Sequence, residues 1–130
     1  MGAWGPQFDE NDAAADWLAD FGDSPNWPTI AGTLSAALAE AGGYLEVDQG
    51  SEALAAAEIV AAALGKGSAR LSPDISAWAQ QNSADAGELK FAASEAVLAV
   101  RDGGELHELW HEGNPDEWLA LINDLHSRLS

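Results

Sequence analysis

With 130 residues, of which 47% are hydrophobic, the chain has the length and composition of a single globular domain. It contains 22 acidic residues and five lysine or arginine residues, and its formal net charge of −17 argues against binding to nucleic acids or anionic membranes. The absence of cysteine excludes disulfide bonds and thiolate chemistry.

Neither a leader segment nor a membrane-spanning segment is expected. The first residues, MGAWGPQFDEND, lack the basic and apolar regions of a signal peptide. No apolar run approaches the roughly 20 residues that a transmembrane helix needs. We therefore expect a cytoplasmic protein without a membrane partner, in which residues 1–130 form one domain.

The negative charge is the strongest global feature, and it has three interpretations. An acidic surface attracts basic proteins, including those that bind nucleic acids. A large net charge also keeps a protein soluble. In addition, two lysines beside 22 acidic residues fit adaptation to a salt-rich cytoplasm.

Short apolar segments at helical spacing, separated by glycine, proline, asparagine and serine, predict a compact all-α bundle of six or seven short helices. The first helix is predicted over residues 12–21. The second is predicted over residues 29–41, with Pro28 in its first turn. Residues 44–50 are predicted to form a connector.

The third predicted helix is apolar on almost every side, which makes it the expected centre of the bundle. It covers residues 52–64, with Ser51 as the N-cap. The first and last helices are expected to pack on it through Trp17 and Trp118.

Three further helices are predicted in the second half of the chain. Ser72 caps a helix over residues 73–81, because a cap residue followed by proline is typical of a helix start. Apolar residues at helical spacing predict the next helix over roughly residues 85–101. A short helix then holds residues 107–111.

The last helix is predicted to begin at a clear start signal. Asn114 is the expected N-cap, Pro115 the first residue and Glu117 the third. An apolar stripe at helical spacing follows. Its members are Trp118, Leu121, Ile122, Leu125 and Leu129.

Residues 107–111, HELWH, match the H-E-x-x-H pattern of zinc metalloproteases. Histidines four residues apart share one helix face, so His107 and His111 are able to ligate one zinc ion, and Glu108 would act as the general base on a zinc-bound water. Such a zinc-dependent hydrolase needs a third protein ligand from the last helix. The candidates for it are Glu117, Asp124 and His126.

Several observations favour a solvated polar face instead. Glu105 and Glu112 flank the motif, whereas in zinc proteases the flanking positions are mostly uncharged. A helical wheel places the two histidines opposite Leu106, Leu109 and Trp110. The helix is also short, and no sheet is predicted beside it. We therefore predict no metal, no cofactor and no catalytic residue, with the zinc enzyme and an adventitious or structural metal site as the alternatives.

A second candidate site is acidic. Asp12, Asp16 and Asp20 run along one side of the first helix at i, i+4 and i+8, and they form a solvated face, a protein-binding face or a cation site. Trp4 and Trp27 lie outside the predicted helices. They either pack over helix ends or are exposed as anchors for a partner.

Glu58 is the third candidate, because it interrupts the most apolar helix. A buried carboxylate needs a cationic or hydrogen-bonding partner. Glu58 therefore lies either on an exposed edge of the helix, which we expect, or in an ion pair with Arg70 or Arg101.

Several motifs together resemble a known family. The chain opens with MGAWG, and Phe8, Asn11-Asp12 and Asp16-Trp17 follow. The segments AAAEIVAAALG, ELHELW and EWLALINDL fit the same pattern. The chain thus resembles the bacterial domain-of-unknown-function family 4259, whose small acidic proteins open with MGAWG or MGTWG. This resemblance implies one cytoplasmic domain and no assigned activity.

Three functional hypotheses follow. The leading one is a non-catalytic interaction protein, such as an immunity protein or antitoxin, whose acidic surface binds a basic partner. The alternatives are the zinc-dependent hydrolase and a structural or salt-adapted protein without a specific partner.

Overall fold

The computed structural model describes residues 5–40 and 42–130, which form seven α-helices and one short 3-10 helix. No β-strand occurs in these two ranges, and the predicted all-α fold is confirmed. The α-helices are α1 (Asp12–Asp23), α2 (Trp27–Glu40), α3 (Val47–Ala63), α4 (Pro73–Gln81), α5 (Ala86–Asp102), α6 (Glu105–His111) and α7 (Asp116–Arg128), and the 3-10 helix is Ser83–Asp85.

Helix α3 lies at the centre of the fold, as predicted, because it is apolar on almost every side. All residues from Ala53 to Ala63 are buried. Its alanines let neighbouring helices approach closely, while Leu54, Ile59 and Val60 fill the space between them. Helix α3 consequently contacts each of the other six α-helices.

The predicted beginning of α3 is wrong. The helix begins at Val47, within the predicted connector, and Ser51 is a buried interior residue rather than a cap. Gly50 lies inside the helix for a packing reason: a Cβ atom at this position would lie 3.2 Å from Leu106 Cδ1 of α6. The glycine therefore permits close approach of α6 and does not end a helix.

The N-terminal helices also differ from their predicted bounds. Helix α1 continues through Asp23, beyond the predicted end at Phe21. Helix α2 begins at Trp27, two residues before the predicted start. Asn26 provides the start signal, because its Oδ1 accepts a hydrogen bond from the Thr29 N–H at 2.8 Å.

The start of α7 lies one residue later than predicted. Helix α7 begins at Asp116, so Pro115 precedes it instead of being its first residue. Asn114 still satisfies a free donor of the first turn, since its Oδ1 accepts a hydrogen bond from the Asp116 N–H at 2.9 Å. Glu117 contributes no capping hydrogen bond.

A cluster of aromatic rings joins α1, α2 and α4. Trp17 stacks on Phe21 with ring centroids 5.3 Å apart, and Phe21 meets the edge of Trp78 at 5.4 Å. Trp27 lies against Trp78 at 4.9 Å. These contacts bury large apolar surfaces at one end of the bundle.

The turn between α5 and α6 lies directly against the α2–α3 loop. The Glu105 N–H donates to the Leu45 carbonyl oxygen at 2.8 Å, and the Glu105 carboxylate accepts from the Val47 N–H at 2.8 Å. Gly104 has φ +93, and a Cβ atom there would lie 2.6 Å from the Leu45 oxygen. This contact therefore requires glycine both for the backbone angle and for space.

We expect Gly104→Ala to lower the free energy of unfolding by about 2–3 kcal/mol, because alanine is strained at positive φ and collides with Leu45. Chemical denaturation followed by circular dichroism measures the change. Gly103→Ala is the matched control, since this residue has extended backbone and no atom within 4 Å of an added Cβ. Equal stability of the two variants would contradict the packing described for Gly104.

Candidate functional site

The HELWH motif occupies α6, where its two histidines stack one turn apart. The ring centroids of His107 and His111 are 4.0 Å apart, with 28° between the ring planes. His107 Nδ1 lies 2.7 Å from the Arg101 carbonyl oxygen, and His111 Nδ1 lies 2.7 Å from the His107 carbonyl oxygen. A carbonyl only accepts, so each Nδ1 carries hydrogen and donates, which leaves Nε2 as the nitrogen for any ligand.

The structure does not bring together the candidate zinc ligands of the alternative hypothesis. In the described ranges, no group of three histidine, cysteine, aspartate or glutamate residues is arranged to hold a metal ion. Glu117 is exposed at the start of α7 and does not join the histidine pair. The His111 ring instead meets the Trp118 ring in an edge-to-face contact, with ring centroids 6.4 Å apart. The two histidines thus form a packed pair at the α6–α7 corner.

The apolar and polar sides of α6 lie where the helical wheel predicted them. Leu106 is buried, and Leu109 and Trp110 are partly buried against the core. Glu108 and Glu112 are exposed on the opposite side. The motif therefore lies on an amphipathic helix whose polar side faces solvent.

Glu108 has a different role from the one expected of a general base. Its Oε1 accepts a hydrogen bond from the Tyr44 hydroxyl at 2.8 Å. This hydrogen bond, with a smaller effect of burial and of the charges on Glu108, Glu105 and Glu46, raises the pKa of Tyr44 to about 12. Tyr44 was not singled out from the sequence, because its partner lies 64 residues away.

The titration of Tyr44 tests this contact directly, because the chain contains a single tyrosine. We expect phenolate absorbance to appear around pH 12 instead of the usual 10, since ionisation breaks the bond to Glu108. The stabilisation is present below pH 10 and is lost as the pH rises through about 12.

Glu108→Gln is expected to return the Tyr44 pKa most of the way to 10. Glu105→Gln serves as the control, because Glu105 affects the Tyr44 pKa only through its charge and glutamine keeps an oxygen that accepts from the Val47 N–H, so the change should have a smaller effect. An unchanged titration in Glu108→Gln would contradict the hydrogen bond.

The acidic face of α1 is present as predicted from its spacing. Asp12, Asp16 and Asp20 are all exposed. Trp27 is packed, not exposed: it is 9% accessible, and its Nε1–H donates to the Asn82 carbonyl oxygen at 2.8 Å. Trp4 lies outside the described residues.

Glu58 is buried, and the expectation of an exposed edge is wrong. Its side chain is 4% exposed, and each carboxylate oxygen accepts a hydrogen bond from the Arg128 guanidinium, at 2.9 and 2.8 Å. Neither predicted partner is used, because Arg70 pairs with Asp9 and Arg101 pairs with Asp102. Glu58 is the only charged residue in the central stretch of α3, and helix α7 supplies the positive charge that compensates for its burial.

Two further N–H groups of Arg128 are also engaged, so that four of its five donors make hydrogen bonds. Its Nε–H donates to Asp124 at 2.8 Å, and Nη1 donates to the Lys66 carbonyl oxygen at 2.9 Å. The hydrogen bond to Glu58 is the largest cause of a raised pKa of the Arg128 guanidinium. A cavity of about 250 Å³ adjoins the pair. Because the carboxylate and the guanidinium mainly bind each other, we infer that the pair has a structural role.

We expect Arg128→Ala to lower the free energy of unfolding by about 3 kcal/mol, because it leaves the Glu58 carboxylate buried without a partner. Thermal and denaturant unfolding measure the loss. Arg70→Ala is the control and should cost less than about 1 kcal/mol, since its pair with Asp9 is exposed.

The double variant Glu58→Met/Arg128→Met should recover most of the stability lost in Arg128→Ala, because it removes both charges and retains side-chain volume. A double variant as unstable as the single one would show that Arg128 acts through packing and not through Glu58.

Two exposed aromatic residues were missed by the sequence analysis. Phe91 is 75% and Tyr44 is 50% accessible. For Phe91 a signal was present, since a helical wheel of α5 places it beside Glu88 and Glu95 and away from the buried Val97. No such signal existed for Tyr44 in its loop.

The comparisons with known proteins identify a family whose function is unknown. None of the helices in the described part of the chain has the length and apolar character needed to cross a membrane. No curated protein and no solved structure matches the sequence. The family model for a domain of unknown function, DUF4259, matches residues 2–120. The chain therefore belongs to the DUF4259 family, as its N-terminal and helical motifs suggested.

Proposed function

We propose that this protein is a non-catalytic interaction module, of the immunity or antitoxin kind, that binds a basic protein through its acidic surface. One observation carries the proposal. Of the 22 acidic residues, all within the described ranges, four form salt bridges there. These four are Asp9, Glu58, Asp102 and Asp124.

The few cations of the chain do little to offset this charge. Arg70, Arg101 and Arg128 are each held by an acidic side chain. Most acidic side chains thus face solvent without a salt bridge to the described residues. A field of this sign accelerates encounter with a basic protein and disfavours acidic ones.

The arrangement of the polar groups favours binding over catalysis. The two ring nitrogens left free by His107 and His111 have no third ligand group beside them in the described residues. The Glu108 carboxylate is engaged by Tyr44. The only strongly buried carboxylate among the described residues, that of Glu58, is saturated by Arg128.

Binding to small basic proteins and lysine-rich peptides, measured by calorimetry over a range of salt concentrations, tests the proposal. We expect affinity to fall steeply as salt rises, because the attraction is screened. Matched peptides in which the lysines are replaced by neutral or acidic residues are the control and should not bind. Affinity for basic probes that is absent, or independent of salt, would refute the proposal.

The same salt series distinguishes the salt-adapted alternative. A protein whose charge serves only solubility in salt gains stability steeply with added salt and binds no basic probe at any concentration. An immunity role predicts in addition that the partner loses its activity when this protein is added, and that the loss is complete at the molar ratio of the two proteins in their complex.

A further inference from the structure

One surface groove lies close in the chain to both exposed aromatic residues: Tyr44 is between Gly43 and Leu45 of its lining, and Phe91 is one helical turn before Glu95 of its lining. The groove has a volume of about 340 Å³ and lies between the end of α2, the α2–α3 loop and α5. Its apolar lining includes Leu38, Leu45 and Leu98, and its acidic lining is Glu95 and Asp102. We call it the α5 groove.

Phe91 lies on the same face of α5 as Glu95 and Leu98 of the groove lining, and together with Lys90 it lines the next surface depression along the helix. Phe91, Glu95, Leu98 and Asp102 follow one another at i, i+4, i+7 and i+11, so they share one face of α5. Two helical turns, about 10 Å, separate Phe91 from Leu98. This distance equals the spacing of apolar side chains at i and i+7 on a second helix.

Tyr44 lies at the other side, next in the chain to Leu45 of the groove lining. Its hydroxyl is within the field of three carboxylates, Glu46, Glu105 and Glu108. An exposed aromatic ring beside carboxylates is a favourable site for a lysine or arginine side chain. Asp102 is paired with Arg101, whereas Glu95 has no salt bridge with the described residues.

We propose that the α5 groove is the docking site for a basic amphipathic helix of a partner protein. Phe91 and the groove leucines contact the apolar side of that helix, and Glu95 with the carboxylates around Tyr44 contacts its lysines and arginines. Helix-in-groove binding through apolar anchors at this spacing is a common mode of recognition.

Charge complementarity selects this occupant over a second copy of the chain. A net charge of −17 on each copy opposes self-association, whereas a basic helix gains from the same field. The inference rests on the proposed function, because it locates on the surface the binding that the proposed function requires.

The test uses the full-length protein and a synthetic amphipathic helix of leucine and lysine as the probe. Calorimetry gives the affinity, and NMR chemical shifts locate the contact. We expect Phe91→Ala to weaken binding roughly tenfold, as for an aromatic anchor at an interface, and Glu95→Gln to weaken it several-fold. Because Phe91 is 75% exposed, Phe91→Ala should fold normally.

Asp74→Asn is the matched control. It also removes one exposed negative charge, but it lies on α4, which contributes no residue to the α5 groove. Its effect on affinity should be small, and NMR shifts should be confined to α5, the end of α2 and the α2–α3 loop.

Two results would overturn the inference while leaving the proposed function intact. One is salt-dependent binding that Asp74→Asn weakens as much as Glu95→Gln and that Phe91→Ala leaves unchanged. The other is a dimer, seen by analytical ultracentrifugation and abolished by Phe91→Ala, which would make a second copy the occupant. Failure of every basic probe to bind would refute the proposed function itself.

Discussion

Burial of α3 on almost every side is the constraint on which the rest of the structure depends. A helix that exposes almost none of its central residues must be enclosed by neighbours, and six other helices are placed by that requirement. Its many alanines contribute little volume, so close packing relies on larger residues from the surrounding helices, such as Leu34, Val97 and Trp118. The surface is then free to carry charge, because the stability of the fold resides in contacts that the acidic residues do not share.

Glu58 is the exception that the central helix tolerates. Removing a carboxylate from water is costly, and two charge-assisted hydrogen bonds from Arg128 compensate for it. Such a pair adds little net stability compared with an apolar contact, but it is satisfied in only one arrangement of α3 and α7. Since the last helix otherwise presents a uniform apolar stripe, we expect this pair to set its position along α3.

Local signals predicted the fold well, and contacts distant in sequence were not predictable. The apolar character of α3, the stripe of α7 and the Ser72 cap, whose Oγ accepts from the Ile75 N–H at 3.2 Å, all act within a few residues. By contrast, Arg128 lies 70 residues from Glu58, and Glu105 lies 58 residues from the Val47 N–H that it caps. No pattern within one helix reports such a partner. The groove beside Phe91 was missed for the same reason, because it forms only where α2 and α5 meet.

The hydrogen bond from the Val47 N–H to Glu105 also determines how this part of the molecule unfolds locally. The first free N–H of α3 is satisfied by a side chain of α6, and the adjacent loop is held by the Glu105 N–H on the Leu45 oxygen. The start of α3 cannot fray alone without breaking contacts to α6. These two segments should therefore exchange their amide hydrogens together, as one cooperative unit. Tyr44, carried by the same loop and bonded to Glu108 of α6, would then be ordered or released together with the histidine pair, so that local opening at this edge couples the loop, the first turn of α3 and α6.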